Sequence, residues 1–273
     1  MAESTKSIKR AGVIEVFVTY ARDLEGDANA FLPVLSPAEV ERAGRYRRSE
    51  DRSRFILGRG LLRSLIAGRL AVTPESLSIE VGPFGKPVVA GGPKFSVSHS
   101  ERWIAIAIGD ADVGIDIERR IAFEPIPAAV LSLEERERVR CAADPLDAFF
   151  SIWVAKEAVL KVEGSGLGAG TAHFTVPAYG TGRPDLVWTR TVGVEGIGVT
   201  ALDPSAGVYG AVAARGDAWT LDLCQGTADE CIAMGDAPAG SLSALHAGPT
   251  YRRERPDLQS PRQGDQGPRA GGD

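Results

Sequence analysis

The repeated order of predicted elements is the feature that most limits the folds open to this chain. An apolar strand over residues 12–20 is followed by a short helix opening at Ser36, a long helix over 51–70 and several short strands. A strand over 112–118 starts a second series of the same kind, whose long helix ends at Gly164. This order predicts an α+β fold of two similar lobes, each a small, mainly antiparallel sheet packed on a long helix, with a ligand site in the cleft between them.

Polar residues mark where the predicted helices begin. Ser36 and Asp144 each stand before a proline, the pairing expected of a cap residue and the first helical position. Ser132, with Glu135 after it, forms a capping-box pattern at the start of another helix. The short strands of the second series are predicted at 173–176, 186–191, 198–202, 207–213 and 219–223.

The composition changes near the C-terminal end of the chain. Beyond about residue 223, Gly and Pro are frequent and large apolar side chains are few, so burial cannot offset the entropy lost on ordering. We therefore predict an N-terminal lobe over residues 1–112, a C-terminal lobe over 113–223 and a disordered Gly/Pro-rich tail over 224–273.

Charge and cysteine content exclude several classes of protein. The 273 residues include 31 basic and 36 acidic side chains, a net charge of −5, without the basic excess typical of nucleic-acid-binding proteins. No apolar run approaches the ~20 residues of a membrane-spanning helix, and the first apolar segment predicts a strand rather than a secretion signal. The 3 cysteines, in no metal-like spacing, favour a reducing compartment. We expect a cytoplasmic protein that binds neither nucleic acid nor membrane.

Two carboxylates stand side by side in the strand that opens the second series. Residues two apart on a strand share a face, so Ile115 and Ile117 enter the core while Asp116 and Glu118 project together. Adjacent carboxylates repel unless a cation or basic side chains lie between them. The pair therefore indicates either a metal site or a solvated face with Lys or Arg across the sheet.

The second long helix carries charge among many apolar residues. Trp153, Glu157 and Lys161 share one stripe of the helix, which an ordinary Glu–Lys pair would also explain. The helix has little polar face to spare, so its charges need partners. If Glu157 met the two strand carboxylates, the oxygen-rich group would suit Mg²⁺ shared with substrate phosphates. Lys156 and Lys161 would then face the same phosphates.

The remaining candidates are weaker when each is taken alone. The segment 95–100 ends a strand with three serines and His99, which could bind a phosphate or cap a turn. Lys86 lies in a Gly-Lys-Pro turn, where a solvated lysine is the simple explanation. Arg54, on the first long helix, could equally be a surface arginine.

Together these segments resemble the 4′-phosphopantetheinyl transferases, specifically the larger two-lobed Sfp type. The resemblance is carried by 85–87, 95–100, 114–118 and the pattern of Trp, Lys-Glu-Ala, Lys and Gly over 153–167, in the order that the family shows. It spans roughly Val13 to Ala213. Members can carry more basic residues after the Ser-Pro of the first helix, where this chain offers only Arg42 early in the helix.

The resemblance implies a role for each matching side chain. The residues implied to hold Mg²⁺ (Mn²⁺ stays open) on the pyrophosphate of coenzyme A are Asp116, Glu118 and Glu157. The residues implied to act on the reacting side are Glu157, Lys156 and Lys161, with Glu135 as general base. The capping-box pattern leaves open whether Glu135 is that base, a helix cap or both. The residues implied to bind the nucleotide end of coenzyme A and its 3′-phosphate are Arg54, Lys86, Ser98 and His99.

The resemblance also implies the reaction. A phosphopantetheine arm would move from coenzyme A to a serine of an acyl or peptidyl carrier protein of polyketide, nonribosomal peptide or fatty-acid synthesis. Adenosine 3′,5′-bisphosphate would be released, and the enzyme would be a monomer. The alternatives are a non-catalytic module that binds a carrier domain or nucleotide, and a Mg²⁺-dependent phosphohydrolase.

Overall fold

A computed structural model describes residues 12–82, 85–164, 171–176, 187–188, 196–215 and 219–235. The strands are β1 (Gly12–Tyr20), β2 (Ile79–Val81), β3 (Pro87–Val89), β4 (Lys94–Ser100), β5 (Trp103–Gly109), β6 (Val113–Arg119), β7 (Val187–Trp188), β8 (Ile197–Ser205), β9 (Val208–Arg215) and β10 (Trp219–Gly226). The helices are α1 (Leu24–Ala30), α2 (Pro37–Gly44), α3 (Ser49–Leu70), α4 (Leu133–Cys141), α5 (Pro145–Glu163) and α6 (Ala228–Gly235).

The N-terminal lobe is a four-stranded sheet covered by α3. Its strand order is β10-β1-β5-β4, with β1 antiparallel to β5 and parallel to β10. The apolar residues of α3 pack on one face of this sheet, where Phe17, Ile104 and Ile106 are buried. A separate two-stranded ribbon, β2–β3, leads from α3 toward β4.

The C-terminal lobe repeats this plan with α5. Its strand order is β6-β9-β8-β7, all antiparallel. Gly114 of β6 lies directly beneath the helix: a Cβ atom there would lie 1.9 Å from the carbonyl oxygen of Ala158. Only glycine permits so close an approach of strand and helix, which brings the side chains of α5 down to the level of β6.

The two sheets bury their other faces against each other. Alternate residues of β1, including Val16 and Val18, meet Ile115 and Ile117 of β6 in a third apolar cluster. The result is four layers, helix, sheet, sheet and helix, with β4 and β6 side by side where the lobes join. The α+β fold of two similar lobes is confirmed.

Local signals set the element boundaries as expected. The first strand begins and ends at Gly12 and Tyr20. Ser36 and Ser132 both form complete capping boxes, and the side chain of Asp144 accepts from the backbone of the first turn of α5. Gly164 ends α5 in the left-handed conformation, with φ at 72°.

The predicted boundary of the tail is wrong. The strand β10 continues past Leu223 to Gly226 and pairs with β1, so this strand belongs to the N-terminal sheet rather than to the second lobe. Helix α6 follows and buries Cys231 against the same core. The prediction of disorder over 236–273 concerns residues outside the described ones.

Two further differences concern the second series. Residues 173–176, predicted as a strand, instead follow a short 3₁₀ turn at Thr171–His173, and Phe174 and Val176 pack into the core under α5. Of the segment predicted as a strand over 186–191, the described part is the two-residue strand β7. No helix in the described part of the chain is long and apolar enough to cross a membrane.

Candidate functional site

A cavity of about 350 Å³ opens between the lobes. Its walls come from α2 and α3 on one side, and from the turn before β3, strand β4 and the end of α5 on the other. The cationic side chains that line it are Arg42, Arg54, Arg59, Lys86 and Lys161, and no carboxylate is among the described residues of its wall. A volume of this size suits a small ligand, and the lining suits an anionic one.

One end of the cavity is built around an aromatic ring. The guanidinium carbon of Arg42 lies 5.2 Å from the centre of the Phe55 ring, and that of Arg59 lies 5.6 Å from it. The Nη1 atom of Arg59 is buried and has no hydrogen-bond partner among the described residues. Burial lowers the pKa of Arg59. A buried guanidinium with an unused donor is ready to bind an anion.

The predicted nucleotide-binding residues divide into two groups. Arg54, His99 and Lys86 line the cavity, whereas Ser98 does not. Arg54 pairs with Asp51 and donates to the carbonyl oxygen of Glu101 at 3.2 Å, which fixes its guanidinium. The cleft walls desolvate His99 and lower the pKa of its imidazole, and the positive charge of Arg54 lowers it further.

Lys86 joins the two lobes as well as lining the cavity. Its Nζ donates to the carbonyl oxygens of Val113 at 3.0 Å and Lys161 at 2.6 Å, both in the C-terminal lobe. Burial lowers the pKa of Lys86. The ammonium group therefore spends two of its three donors on backbone.

Ser98 does not line the cavity, and its predicted role in binding the nucleotide end stays a prediction. Strand β4 alternates its side chains, so Ser98 faces β6 while His99 faces the cleft. The Ser98 hydroxyl donates to Asp116 Oδ1 at 2.7 Å and accepts from the backbone of Ile117 at 3.3 Å. Both of its hydrogen-bonding functions are thus committed to the C-terminal lobe.

Asp116 is the most enclosed acid of the cleft, with 4% of its surface exposed. Its Oδ1 accepts from Ser98 and, at 2.8 Å, from Nζ of Lys161. Lys161 also donates to the carbonyl oxygen of Ile115 at 2.9 Å. The second oxygen, Oδ2, is buried and has no hydrogen-bond partner among the described residues. A buried carboxylate oxygen in this state has lost water without gaining a donor, which favours binding of a cation.

Glu118 and Glu157 complete an acidic group beside Asp116. Glu118 accepts from Ser100 at 2.8 Å, and burial raises its pKa. The pKa of Glu157 is raised to about 7, first by burial, then by the negative charge of Asp116 and more weakly by that of Glu118. Its Oε1 is buried and, within the described part of the chain, unpaired. The three acids therefore interact electrostatically across β6 and α5.

The donor set fits a hard divalent cation. Carboxylate oxygens, two of them buried and unpaired, are the ligands that Mg²⁺ and Mn²⁺ prefer. The acids are not already gathered around one point, since no group of three His, Cys, Asp or Glu side chains in the described segments stands in a metal-binding arrangement. The ammonium group of Lys161 instead bonds to Asp116.

Lys156 and Glu135 lie outside the cavity wall, and their predicted roles in the reaction stay predictions. Both side chains are fully buried, and Lys156 Nζ lies 2.8 Å from Glu135 Oε2 inside the C-terminal lobe. Lys156 also donates to the carbonyl oxygens of Thr171 and Phe174. Neither residue lines the cavity, so in this structure Lys156 does not face a phosphate there and Glu135 does not face an incoming hydroxyl.

Glu135 is instead a cap and a buried partner. Its carboxylate accepts from the backbone of Ser132 at 2.8 Å, as the capping-box pattern predicts, and from the backbone of Val176 at 2.8 Å. Burial lowers the pKa of Lys156, an effect that the neighbouring Glu135 opposes. The pair ties α4, α5 and the segment 171–176 together.

Arg59 and Phe55 are the cavity residues that sequence reasoning missed. Arg59 follows Gly58 on α3 and is surrounded in sequence by buried apolar residues of that helix. A charged side chain among them is the sequence feature that could have indicated a binding residue. Gly58 itself lines the cavity, and its missing side chain helps to open the space.

Two protein-family models match adjacent ranges of this chain. Residues 24–110 match the family described as 4′-phosphopantetheinyl transferase, N-terminal, and residues 112–195 match the 4′-phosphopantetheinyl transferase superfamily. The two matches divide the chain between β5 and β6.

Several curated proteins are similar over more than half of this chain. The 4′-phosphopantetheinyl transferase Sfp of Bacillus subtilis is 30% identical over 161 residues, which cover 57% of this chain and 72% of the relative. The 4′-phosphopantetheinyl transferase psf-1 of Bacillus pumilus is 34% identical over 162 residues, or 56% and 68%. The 4′-phosphopantetheinyl transferase gsp of Aneurinibacillus migulanus is 30% identical over 157 residues, or 56% and 66%.

Proposed function

Because the chain belongs to the 4′-phosphopantetheinyl transferase family, we propose that it moves the 4′-phosphopantetheine arm of coenzyme A to a serine of an acyl or peptidyl carrier protein. The transfer depends on Mg²⁺ and releases adenosine 3′,5′-bisphosphate. The observation that carries the proposal is a cavity lined by cations whose end adjoins three carboxylates, two of which, Asp116 and Glu157, have a buried oxygen without a partner among the described residues.

The cationic side chains supply the binding energy for coenzyme A. Coenzyme A carries a pyrophosphate and a separate ribose phosphate, so it needs positive charge at two places. Arg42, Arg54 and Arg59 form one cationic end on α2 and α3, with His99 across the cleft, and bind the nucleotide with its 3′-phosphate. Lys86 lines the same cavity and joins them at the nucleotide end, and Lys161, which is bonded to Asp116 of the acidic group, contacts the pyrophosphate.

The acidic group is the proposed metal centre. Asp116, Glu118 and Glu157 would hold Mg²⁺, with Mn²⁺ as an alternative that carboxylates accept equally well. When bound, the ion neutralises charge on the pyrophosphate as the transfer proceeds. The neighbouring ammonium group of Lys161, released from Asp116, would add to that stabilisation.

The reaction breaks a phosphoanhydride bond and forms a phosphodiester bond. The serine oxygen of the carrier attacks the β-phosphorus of the pyrophosphate, and the bond from that phosphorus to the bridging oxygen breaks. The electron pair of that bond leaves with adenosine 3′,5′-bisphosphate. Because Glu135 is enclosed and paired with Lys156, the proton of the attacking hydroxyl leaves through the solvent of the cleft rather than to this carboxylate.

The test is transfer to a defined acceptor. The protein is incubated with coenzyme A, Mg²⁺ and an apo carrier protein, and the carrier is weighed by intact-mass spectrometry. We expect a gain of one phosphopantetheine and the appearance of adenosine 3′,5′-bisphosphate. Asp116→Asn is the control variant, because it keeps the shape of the side chain and removes its charge.

Each other outcome names a different function. Consumption of coenzyme A without any carrier would indicate a phosphohydrolase. Binding of coenzyme A without consumption, across a panel of apo carriers, would indicate a non-catalytic module. Either result would refute the transfer proposed here.

A further inference from the structure

A row of serines joins the two lobes where β4 lies beside β6. Ser96, Ser98 and Ser100, which we call the serine row, occupy alternate positions of β4 and face the same way. Their hydroxyl oxygens accept from the backbone N–H groups of Ile115 at 3.1 Å, Ile117 at 3.3 Å and Arg119 at 3.0 Å, respectively. Side chains here do what backbone carbonyls do in an ordinary sheet.

Two members of the serine row also bind carboxylates. Ser98 donates to Asp116 Oδ1 at 2.7 Å, and Ser100 donates to Glu118 Oε2 at 2.8 Å. Ser96 faces the corresponding position of β6 at Gly114, which has no side chain to bind. The row therefore contains two residues that touch the acidic group and one that makes the same backbone contact without touching it.

The geometry of a hydroxyl makes this arrangement directional. A serine oxygen that accepts from a backbone N–H has one proton left to donate, and in Ser98 and Ser100 that proton goes to a carboxylate. Hydrogen bonds to an ionised acceptor are the stronger kind, so each acid is held in one orientation. One oxygen of Asp116 is thus occupied on the serine side, while Oδ2 stays unpaired within the described residues.

We propose that Ser98 and Ser100 are positioning residues for the divalent cation, an inference that rests on the proposed function. They do not touch the ion. Each fixes one oxygen of a carboxylate of β6 and thereby sets where the other oxygen lies. Since both serines belong to the N-terminal lobe and both acids to the C-terminal lobe, the acidic group keeps its shape only while β4 and β6 stay in register.

The experiment compares alanine variants along the row. Ser96→Ala, Ser98→Ala and Ser100→Ala each remove one hydroxyl and leave one backbone N–H of β6 without its acceptor. Mn²⁺ binding to each full-length protein, without coenzyme A or carrier, is measured by isothermal titration calorimetry and by electron paramagnetic resonance. Thermal unfolding of each variant reports the purely structural cost.

Outer contacts of metal ligands are typically worth 10–100-fold in affinity. We therefore expect Ser98→Ala and Ser100→Ala to weaken Mn²⁺ binding by roughly 10–100-fold. Ser96→Ala should change the Mn²⁺ affinity by less than about threefold. Its unfolding midpoint should nevertheless shift by about as much as those of the other two alanine variants. Ser100→Thr, which keeps the hydroxyl, should restore affinity. Transfer assays should show kcat falling in the two carboxylate-contacting variants, with KM for coenzyme A little changed.

Two results would overturn the inference in different ways. If Ser96→Ala weakened Mn²⁺ binding as much as Ser98→Ala, or if neither did so, the row would be structural only and the proposed function would stand. If the unaltered protein bound no Mn²⁺, the proposed metal centre would fail and the positioning role with it.

Discussion

Lys156→Met should destabilise the protein strongly without touching the cleft. Methionine keeps the length of the stem and removes the ammonium group, so Glu135 stays fully buried and, among the described residues, keeps only the more distant guanidinium of Arg138, 3.9 Å from its Oε1. Removing one partner of a buried ion pair costs about 3–5 kcal/mol, because the remaining charge stays desolvated. Two backbone carbonyls, of Thr171 and Phe174, lose their donor as well.

The size of the effect makes thermal unfolding the suitable assay. For domains of this size, 1 kcal/mol shifts the midpoint by about 2–4 °C, so the variant should unfold roughly 6–20 °C below the unaltered protein. The double variant Glu135→Gln with Lys156→Met removes the stranded charge and keeps a side chain that can cap α4. It should therefore be more stable than Lys156→Met alone.

The same variants decide between two roles for Lys156. Below its unfolding temperature, Lys156→Met should retain most transfer activity, because the side chain does not line the cavity. If the free energy of unfolding of Lys156→Met were within about 1 kcal/mol of that of the unaltered protein and transfer activity were lost, the structural role would be refuted. That result would instead support the contact between Lys156 and a phosphate that the sequence resemblance implies.

Three further predictions concern the strand, the cavity and the acidic group. Gly114→Ala should lower the unfolding midpoint by more than a typical surface substitution, because its Cβ would lie 1.9 Å from Ala158 O. The control is Gly44→Ala, where a Cβ meets nothing within 4 Å, and thermal unfolding of both variants is followed by circular dichroism. Equal midpoints would contradict the close packing. Arg59→Ala should raise the Kd for adenosine 3′,5′-bisphosphate by about 10-fold or more, which is the scale of one charged hydrogen bond. The Kd for adenosine 5′-monophosphate should rise less. If calorimetry gave the same increase for both ligands, Arg59 would not contact the 3′-phosphate. Glu157 has a pKa of about 7 when folded against 4.5 when unfolded, so in metal-free protein its contribution to stability is full below about pH 4.5 and is lost as the pH rises through 7. Glu157→Gln should remove that part of the pH dependence, seen in urea unfolding at pH 5 and pH 8, and parallel curves for the two proteins would show that the raised pKa is wrong.

Local signals predicted much of the fold and singled out the cleft residues Arg54, Lys86 and His99, whose roles stay predictions. Caps such as Ser36 and Ser132 act within one helical turn, so their pattern alone sets where a helix begins. The alternation of β6 likewise placed Ile117 in the core and Asp116 toward α5, because strand geometry allows nothing else. The α+β architecture of two lobes followed from the order of such elements.

The sequence does not predict features that depend on contacts between distant segments. Helix α5 is apolar on nearly every side, so its sequence does not tell which charged residue faces the cleft; Lys156 points inward because Glu135 meets it there. Ser98 faces β6 rather than the nucleotide because β4 is paired through its side chains. The pairing of β10 with β1 joins the last described strand to the first, a contact that no local pattern predicts.

That last pairing makes the second lobe an insertion within the first. The N-terminal sheet receives its edge strand only after the whole of β6 to β9 has been synthesised, so on a ribosome the lobe made first is the lobe finished last. A polypeptide shortened to Leu223 would lose three of the eight residues of that edge strand and all of α6, and with them the burial of Cys231. The lobe that would suffer is the one at the opposite end of the gene product from the cut.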